Sequence, residues 1–278
     1  MKVAIFGLGI IGGTWAQHYE TDGVLAASWN RSPKSAPRFT PDIRAAAASA
    51  DVLHIVVSDP PAVDDLLRQI LPELHPEKFV IQSSTISPAW AEKNEALVKA
   101  TGAIYVEAPF TGSKPAAEAR KLVFFLGGSP ENRTQARKIL EKIGRKFFEL
   151  ESVAHACAIK LAMNLNIAGV AQTLFESISF ARKYHINDEF YFSVLDENVS
   201  HSGVSDLKKE KLLNNDFSPQ FSVKHMWKDL RLTLESAGEL KTPLTSQVEQ
   251  IYATGAKNNL ADADFSSLIT LLSSQINP

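Results

Sequence analysis

Along the first 150 residues, short apolar runs alternate with stretches in which apolar residues recur every three or four positions. The apolar runs are rich in β-branched and aromatic side chains, which predicts buried strands. Residues 62–75 and 132–143 show the helical spacing most clearly. Strands that alternate with helices predict an α/β domain with a doubly wound, mostly parallel sheet. The predicted strands cover residues 3–6, 24–29, 52–57, 79–82, 104–107, 122–126 and 146–149.

The pattern changes after residue 151. A helical pattern runs from about residue 154 to 184 with no strand inside it, and Gly169 weakens it by about 1 kcal/mol relative to alanine. We therefore predict an α/β domain at residues 1–152 and an all-α domain at 153–278, joined by this long helix. Further helical patterns lie near residues 188–199, 204–213, 221–237, 242–254 and 261–274.

Composition narrows the classes of function. A formal net charge of −2 over 278 residues leaves no strongly basic balance for binding nucleic acid. The single cysteine, Cys157, excludes an intramolecular disulfide framework and a cysteine-rich zinc site. His155, His185, His201 and His225 lack metal-ligand spacing, so no metal is expected. No signal peptide and no apolar run of about 20 residues is evident, which predicts a cytoplasmic protein without a membrane span.

The first predicted strand leads directly into a glycine-rich turn, Gly7-x-Gly9-x-x-Gly12, and then into a helical pattern. Gly7 allows a tight turn, Gly9 lets the backbone approach a diphosphate, and Gly12 lets the helix pack closely on the strand. Free N–H groups and the helix dipole complete an anion site. This order predicts a Rossmann dinucleotide-binding domain whose cofactor contacts include Gly7, Leu8, Gly9, Ile10, Ile11 and Gly12.

The end of the second predicted strand indicates which dinucleotide is bound. A carboxylate there would accept hydrogen bonds from the ribose 2′-OH of NAD, but the chain instead has Asn30, Arg31 and Ser32. The guanidinium of Arg31 suits a phosphate dianion, with Asn30 and Ser32 as hydrogen-bonding neighbours. NADP is therefore favoured over NAD. The alternative is that Arg31 is a solvated turn residue before Pro33.

Several stretches together resemble the β-hydroxyacid dehydrogenase family, which includes 3-hydroxyisobutyrate dehydrogenase and glyoxylate/succinic semialdehyde reductase. The resemblance covers nearly the whole chain and implies an NAD(P)-dependent oxidoreductase with a 6-phosphogluconate dehydrogenase-like dinucleotide domain. The segment 112–115, Gly-Ser-Lys-Pro, is more similar to the glyoxylate and succinic semialdehyde reductase branch. The stretches that carry the resemblance are Gly7–Gly12, Ser84–Pro88, Glu107–Pro115, Lys160-x-x-x-Asn164 and Asp216–Phe221 followed by Lys228-Asp229-Leu230.

Lys160 is the candidate catalytic acid. When hydride reaches a carbonyl, negative charge develops on the oxygen, and a nearby proton donor lowers the barrier. Lys160 lies in an apolar helical stretch that would desolvate it and lower its pKa, although its head could instead reach water. The family resemblance favours the catalytic interpretation. Asn164 lies one turn further on the same face, where it would bind substrate or orient the ammonium, or else bond a neighbouring turn.

The resemblance implies further site residues. Thr111, Gly112 and Ser113 follow the fifth predicted strand and would hold the substrate carboxylate. Lys228 would approach both cofactor and substrate from the helical domain, unless it is a solvated lysine beside Asp229. Other cofactor contacts implied by the resemblance are Val57, Ser58, Thr85 and Phe221.

The chain also departs from the family pattern. Ala154-His-Ala156 replaces the usual Gly-x-Gly before the lysine, and the usual paired asparagines are reduced to Asn164 preceded by Met163. Thr111 replaces a small residue of the substrate loop but keeps a hydroxyl group. These changes put the identity of the substrate in doubt more than the type of reaction.

The sequence thus favours an NADPH-dependent reductase of a small, carboxylate-bearing aldehyde or keto acid. Two alternatives stay open: an imine reductase-like enzyme, disfavoured because those proteins generally lack a lysine at the position of Lys160, and a non-catalytic NADP-binding sensor. A homodimer or higher oligomer is expected through the helical domain, on the basis of its aromatic residues Phe190, Tyr191, Phe192, Trp227 and Tyr252.

Overall fold

The computed structural model describes residues 1–273, which form two compact units, Met1–Leu161 and the residues from Ala162 onward. The sequence prediction placed the boundary between residues 152 and 153, at the start of the long helix. The structural division falls inside that helix because Val153 and Cys157 pack into the hydrophobic core of the first unit.

The first unit contains one eight-stranded sheet. Its strand order is β2-β1-β3-β4-β5-β7-β6, with β8 paired to β7. The pairings of β7 with β5 and with β6 are antiparallel and the others are parallel, so the predicted α/β class and mostly parallel sheet are confirmed. The strands are β1 (Val3–Phe6), β2 (Leu25–Trp29), β3 (Val52–Ile55), β4 (Phe79–Gln82), β5 (Ile104–Glu107), β6 (Phe110–Thr111), β7 (Leu122–Gly127) and β8 (Gly144–Leu150).

Six helices accompany this sheet, and several begin at a polar capping residue. Asp42, Asp59, Ser87 and Ser129 each accept a hydrogen bond from a backbone N–H of the first turn, and proline follows three of them inside the helix. Local sequence therefore fixes where these helices start. The helices are α1 (Ile10–Thr21), α2 (Ile43–Ala48), α3 (Pro60–Ile70), α4 (Pro88–Lys99), α5 (Lys114–Glu118) and α6 (Pro130–Leu140), and a 3-10 turn spans Leu71–Glu73.

Both faces of the sheet are covered by separate hydrophobic clusters. Alternate residues of β1 enter opposite clusters: Ala4 and Phe6 join one, while Val3 and Ile5 join the other. When both faces of a strand are buried, most of its side chains are apolar instead of alternating with polar ones. This explains the continuous apolar runs of the sequence.

The second unit is helical within the described residues. The predicted helix at 261–274 is instead a 3-10 helix, Phe265–Ile269, followed by one short α-helix, and its last residue lies outside the described residues. Buried aromatic residues such as Phe175, Phe192 and Tyr252 form the core. The helices are α7 (Val153–Lys183, shared with the first unit), α8 (Asp188–Asp196), α9 (Gly203–Leu213), α10 (Val223–Ala237), α11 (Pro243–Gly255) and α12 (Thr270–Ser273), with a π-helical segment at Ala256–Leu260.

One described helix, α7, is long and apolar enough to cross a membrane by length and composition only, which is weak evidence for a span. Its mean hydropathy is 1.3 over its most apolar window. Core helices of soluble proteins meet the same criterion, and the apolar side chains of α7 such as Ala168, Ala171 and Phe175 lie in the core of the second unit.

The aromatic residues on which the expected assembly was based do not share one environment. Phe192 and Tyr252 are fully buried in the second unit, whereas Phe190 is 59% exposed. Phe180 and Tyr184 of α7 are also exposed, and their ring centroids lie 5.2 Å apart. Phe180, Tyr184 and Phe190 are therefore among the exposed apolar side chains of the second unit that a partner could cover.

Candidate active site

The glycine-rich turn between β1 and α1 is shaped by two crowded positions and one open one. Gly7 has a φ of +105°, and a Cβ there would lie 2.2 Å from the carbonyl oxygen of Val56. A Cβ on Gly12 would lie 1.9 Å from the carbonyl oxygen of Gly7. A Cβ on Gly9 would meet no atom within 4 Å. Packing thus requires glycine at 7 and 12, while the backbone at Gly9 is accessible to a ligand.

Helix α1 presents its N-terminus at this turn. Its N-cap is Gly9, which supplies no side-chain hydrogen bond, so the first N–H groups of the helix can donate to an anion. The Oδ1 atom of Asn30 accepts the N–H of Leu8 at 2.9 Å and so holds the preceding part of the turn. The geometry fits the diphosphate of a dinucleotide.

Of the residues after β2, Asn30 has a structural role, whereas Arg31 is exposed. The side-chain amide of Asn30 accepts a hydrogen bond from the N–H of Leu8 and donates one to the carbonyl oxygen of Ser32 at 2.8 Å. Both of its partners are therefore backbone groups. Arg31 is exposed and forms no hydrogen bond or ion pair within residues 1–273. Sequence reasoning missed Lys34, whose Nζ donates to the carbonyl oxygen of Leu8 at 2.8 Å. The sequence feature that could have identified Lys34 is its place as a second cation three positions after Arg31.

The loops that follow β3 and β4 are tied to each other. The N–H of Val57 donates to Ser84 Oγ at 2.8 Å, which fixes the segment before Thr85. Ser58 donates to Asp59 at 2.6 Å, and Asp59 caps α3. The sequence-predicted cofactor residues Val57, Ser58 and Thr85 therefore lie in two connected loops at the carboxyl ends of neighbouring parallel strands.

A buried histidine links α1 to these strands. His54 of β3 contacts the Tyr19 hydroxyl at 3.0 Å through Nδ1 and the Ser83 hydroxyl at 2.9 Å through Nε2. Its ring stacks on Trp15 with the centroids 4.7 Å apart. Burial lowers the pKa of His54 to about 3, so the ring is neutral at physiological pH.

Strand β6 ends at the predicted substrate loop. Thr111 is half-buried, and Gly112 has a φ of +125°, where a Cβ would lie 2.7 Å from Leu122 Cδ2. Ser113 precedes α5 and makes no side-chain cap. A non-glycine residue at 112 would be strained in this backbone conformation, so the loop presents its hydroxyl and N–H groups from a tight turn.

Lys160 belongs to the first unit and is 9% exposed. Its Nζ atom lies 5.9 Å from the ring centroid of Phe110, the neighbour of Thr111 in β6. A lysine buried to this extent is not a solvated surface residue, and its ammonium is directed to the strand that carries the predicted substrate loop.

Asn164 and Lys228 both contact Asp229. The sequence analysis named Asp229 only as the residue beside Lys228. In the second unit, Asn164 Nδ2 donates to Asp229 Oδ2 at 2.6 Å, and Lys228 Nζ lies 2.9 Å from Asp229 Oδ1. Asn164 and Asp229 are almost fully buried. The carboxylate of Asp229 thus orients the amide of Asn164 and the ammonium of Lys228. The adjacent Lys228 and Asp229 in the sequence were the feature from which this role could have been predicted.

Phe221 is half-buried at the end of a loop that leads into α10. Its ring lies parallel to His225 with centroids 6.4 Å apart, and its N–H donates to Asp264 Oδ2 at 3.2 Å. Asp264 also accepts from the buried Lys208 at 2.7 Å. A buried ion pair therefore holds the segment that carries Phe221.

The structure also groups three exposed polar residues that the sequence did not associate. His201 Nε2 lies 2.7 Å from Asp206 and 3.9 Å from Asp196, a set that could hold a cation. Lys209 already pairs with Asp196 at 2.9 Å. We interpret the group as a surface ion-pair network, because exposed acidic residues commonly cluster without a metal.

Comparison with known protein families divides the chain into two matched segments. Residues 2–154 match the NAD binding domain of 6-phosphogluconate dehydrogenase. Residues 154–272 match a family described as NAD-binding of NADP-dependent 3-hydroxyisobutyrate dehydrogenase. The two matches meet at the start of α7 and together span nearly the whole chain.

Individual relatives and solved structures are similar over nearly the whole chain. Glyoxylate/succinic semialdehyde reductase 2, chloroplastic, of Arabidopsis thaliana is 24% identical over 98% of this chain and 79% of its own length. The solved structure of Mycobacterium tuberculosis 3-hydroxyisobutyrate dehydrogenase with L-serine has a TM-score of 0.87 at 26% identity, covering 98% of each chain. Psf3 in complex with NADP+ and 2-OPP has a TM-score of 0.89 at 23% identity, covering 97% of this chain and 99% of its own.

Proposed function

Because this chain belongs to the β-hydroxyacid dehydrogenase family, we propose that it reduces a small aldehyde or keto acid to the hydroxy acid with NADPH. Its class, an NAD(P)-dependent dehydrogenase or reductase, follows from the family. The NADPH preference, the carboxylate on the substrate and the residue roles are the proposal. The observation that carries it is the burial of Lys160 with its ammonium directed to Phe110, beside Thr111.

The cofactor preference rests on the residues after β2. No carboxylate ends this strand, and Arg31 is exposed with its guanidinium unpaired among the described residues. Lys34, which holds the carbonyl oxygen of Leu8, adds a second positive charge nearby. Two cations suit the additional phosphate of NADP, and Ser32 supplies a hydroxyl.

When bound, NADPH would supply the hydride. In this assignment Lys160 donates a proton to the carbonyl oxygen of the substrate. The hydroxyls of Thr111 and Ser113 and the backbone N–H groups of their loop bind the substrate carboxylate. A proton donor already held in a buried position stabilises the developing alkoxide without reorganisation, which typically contributes 10²–10⁴-fold in rate.

Residues of the second unit complete the assignment. Asp229 orients Asn164 and Lys228, so their positions are set by one buried carboxylate. We assign Asn164 to substrate binding or lysine orientation, Lys228 to cofactor and substrate, and Phe221 to the border of the nicotinamide. The presence of Lys160, Asn164 and Lys228 argues against a non-catalytic sensor, which needs no proton donor. Lys160 likewise argues against an imine reductase.

The experiment that tests the function is a substrate screen. Purified protein and NADPH are mixed with glyoxylate, succinic semialdehyde, methylglyoxal and a cyclic imine, and oxidation is followed at the nicotinamide absorbance. We expect turnover with a carboxylate-bearing aldehyde or keto acid and a higher kcat/KM with NADPH than with NADH. Turnover with the cyclic imine alone would replace the proposal with its imine reductase alternative, and no turnover at all would favour the sensor.

Assembly and location complete the proposal. The exposed aromatic residues Phe180, Tyr184 and Phe190 suit a surface covered in a homodimer or higher oligomer. Light scattering at micromolar concentration should therefore give a multiple of 30.5 kDa; a mass of 30.5 kDa itself would count against it. Cys157 is a thiol that forms no disulfide, which suits the reducing cytoplasm, where we place the enzyme.

A further inference from the structure

Glu107, the last residue of β5, has a fully buried carboxyl group. It accepts hydrogen bonds from Gln82 Nε2 and from the Tyr105 hydroxyl, each at 2.7 Å, and the Cys157 thiol also bonds it. Within residues 1–273 no lysine, arginine or histidine forms an ion pair with it. Three donors on one buried carboxyl group, with no ion-pair partner among the described residues, form a site that the proposed mechanism leaves unused.

One of these donors leads to the cofactor loops. The Gln82 amide donates to the carbonyl oxygen of Ser84 at 2.9 Å, and its own oxygen accepts the N–H of Ser84. The hydroxyl of Ser84 in turn accepts the N–H of Val57. Glu107 therefore reaches, through one side chain, the segment that immediately precedes Thr85.

A second donor leads to the proposed acid. Cys157 lies three residues before Lys160, on the adjoining turn of α7. Gly127, the strand partner of Glu107 in β7, supports the same turn, since a Cβ added to it would lie 2.9 Å from Ala156 Cβ. Helix and strand are in direct contact at this point, and the thiol–carboxyl bond lies beside that contact.

We propose that Glu107 is a positioning residue, whose buried carboxyl holds the Lys160 turn of α7 and the Thr85 loop in fixed places relative to the strand that leads to Thr111. The proposed function supplies the roles of Lys160, Thr85 and Thr111, on which this inference rests. The hydrogen bonds that link them are independent of it. Glu107 itself touches neither substrate nor cofactor in this assignment.

The arrangement also predicts a pH dependence. Burial raises the pKa of Glu107 to about 8, although its hydrogen bonds with Tyr105, Cys157 and Gln82 lower it, and Glu95 of α4 raises it further. Tyr105 stays protonated, because burial raises its pKa well above the usual value. The usual pKa of a glutamate is 4.5, so separation of the elements around Glu107 releases its proton at any pH between 4.5 and about 8. Separation therefore becomes easier as the pH rises through this range, and the effect is complete above about pH 8.

The sole cysteine of the chain provides a probe that does not depend on activity. A thiol reagent modifies Cys157 at a rate that is measured in the native protein and in urea at the same pH. The ratio of the native rate to the rate in urea, called the corrected rate, reports how often α7 separates from β5. Glu107→Leu keeps the volume but leaves the donors unpaired, Glu107→Gln keeps a neutral polar group, and Glu141→Gln alters an exposed carboxylate of the same domain. Tyr105→Phe, which removes one donor, replaces Glu107→Leu if that variant does not fold.

We expect the corrected rate to rise at least about 10-fold in Glu107→Leu and less than about threefold in Glu107→Gln, with no change in Glu141→Gln. The corrected wild-type rate should also rise as the pH increases toward 8 and level off above it, and Glu107→Gln should lack that rise. Unchanged labelling in Glu107→Leu would overturn the inference.

Kinetics separate positioning from a merely structural role. In Glu107→Leu, kcat should fall at least about 10-fold, because Lys160 is displaced from the reacting carbonyl, while the Kd for NADPH rises by a smaller factor, because Thr85 is only one of several cofactor contacts. Glu107→Gln should restore most of kcat at pH 7. Faster labelling with an unchanged kcat would overturn the positioning role. If the wild type turns over no substrate but labelling responds as expected, the proposed function fails and the structural link stands.

Discussion

The two units of this protein bury polar groups in different ways. The first unit buries Glu107 and His54, whose charged forms burial disfavours, among neutral donors and acceptors. The second unit buries a charge pair, Lys208 and Asp264, both 0% exposed, and places Lys228 against the buried Asp229. A neutral network responds chiefly to pH, whereas a buried ion pair responds chiefly to the loss of one partner. The difference predicts which unit fails under which perturbation.

The largest effect on stability should come from Lys208→Met. This change leaves Asp264 buried without its cation, which typically costs about 3–5 kcal/mol of unfolding free energy. Lys209→Met is the matched control, because Lys209 is the next residue and pairs with the exposed Asp196; it should change stability by less than about 0.5 kcal/mol. Urea unfolding measures both. Equal effects of the two variants would contradict the contrast between the units.

The next largest effect is on catalysis, within the first unit. Lys160→Met keeps the bulk of the side chain and removes the proton donor, so turnover should fall at least about 10²-fold while the Kd for NADPH is nearly unchanged. Lys183→Met, at the exposed end of the same helix, should leave turnover unaltered. If Lys160→Met keeps more than about a tenth of the turnover, Lys160 is a structural residue.

A smaller effect is expected on cofactor binding, from the exposed Arg31, which belongs to neither buried network. Arg31→Ala should weaken NADPH binding by about 1.5–3 kcal/mol, the scale of a hydrogen bond to a charged group, with little change for NADH. Arg38→Ala removes another exposed arginine of the same loop, one already paired with Glu20, and should have no such effect. Fluorescence titration with both cofactors measures the difference. Equal weakening for NADPH and NADH would reject the NADP assignment.

The smallest effect is the acid sensitivity of the neutral network. The pKa of His54 is about 3 in the folded protein and 6.5 when unperturbed, so the unfolded state binds more protons between these values. Stability is therefore full above pH 6.5 and falls as the pH decreases, by at most about 1.4 kcal/mol per pH unit from this residue. Urea unfolding at pH 6.5 and pH 5 should show this loss in the wild type and a smaller one in His54→Gln. The exposed control His75→Gln should behave as the wild type; the same loss in all three proteins would exclude His54.

Local patterns were sufficient for much of the fold. Strands β1 to β5 were predicted because continuous apolar runs are typical of strands buried on both faces, and the helix starts carry capping residues. Strand β6 was missed because it has two residues, too few for any period, and exists through its pairing with β7. The final helix was predicted too long, since Asp264 caps a 3-10 helix there while bonding the distant Gln220 and Phe221.

The sequence by itself determined the dinucleotide turn, strands β1 to β5 and the family, because each depends on residues close together in the chain. Glycine is required at 7 and 12 by contacts within one strand–turn–helix unit and its neighbouring strand. Tertiary structure alone decided which polar groups are buried together: Asn164 with Asp229, Lys208 with Asp264, and Glu107 with Gln82 and Cys157. These partners are 25 to 65 residues apart, and no periodicity connects them. Only packing brings their atoms within hydrogen-bonding distance and removes the water that would otherwise solvate them.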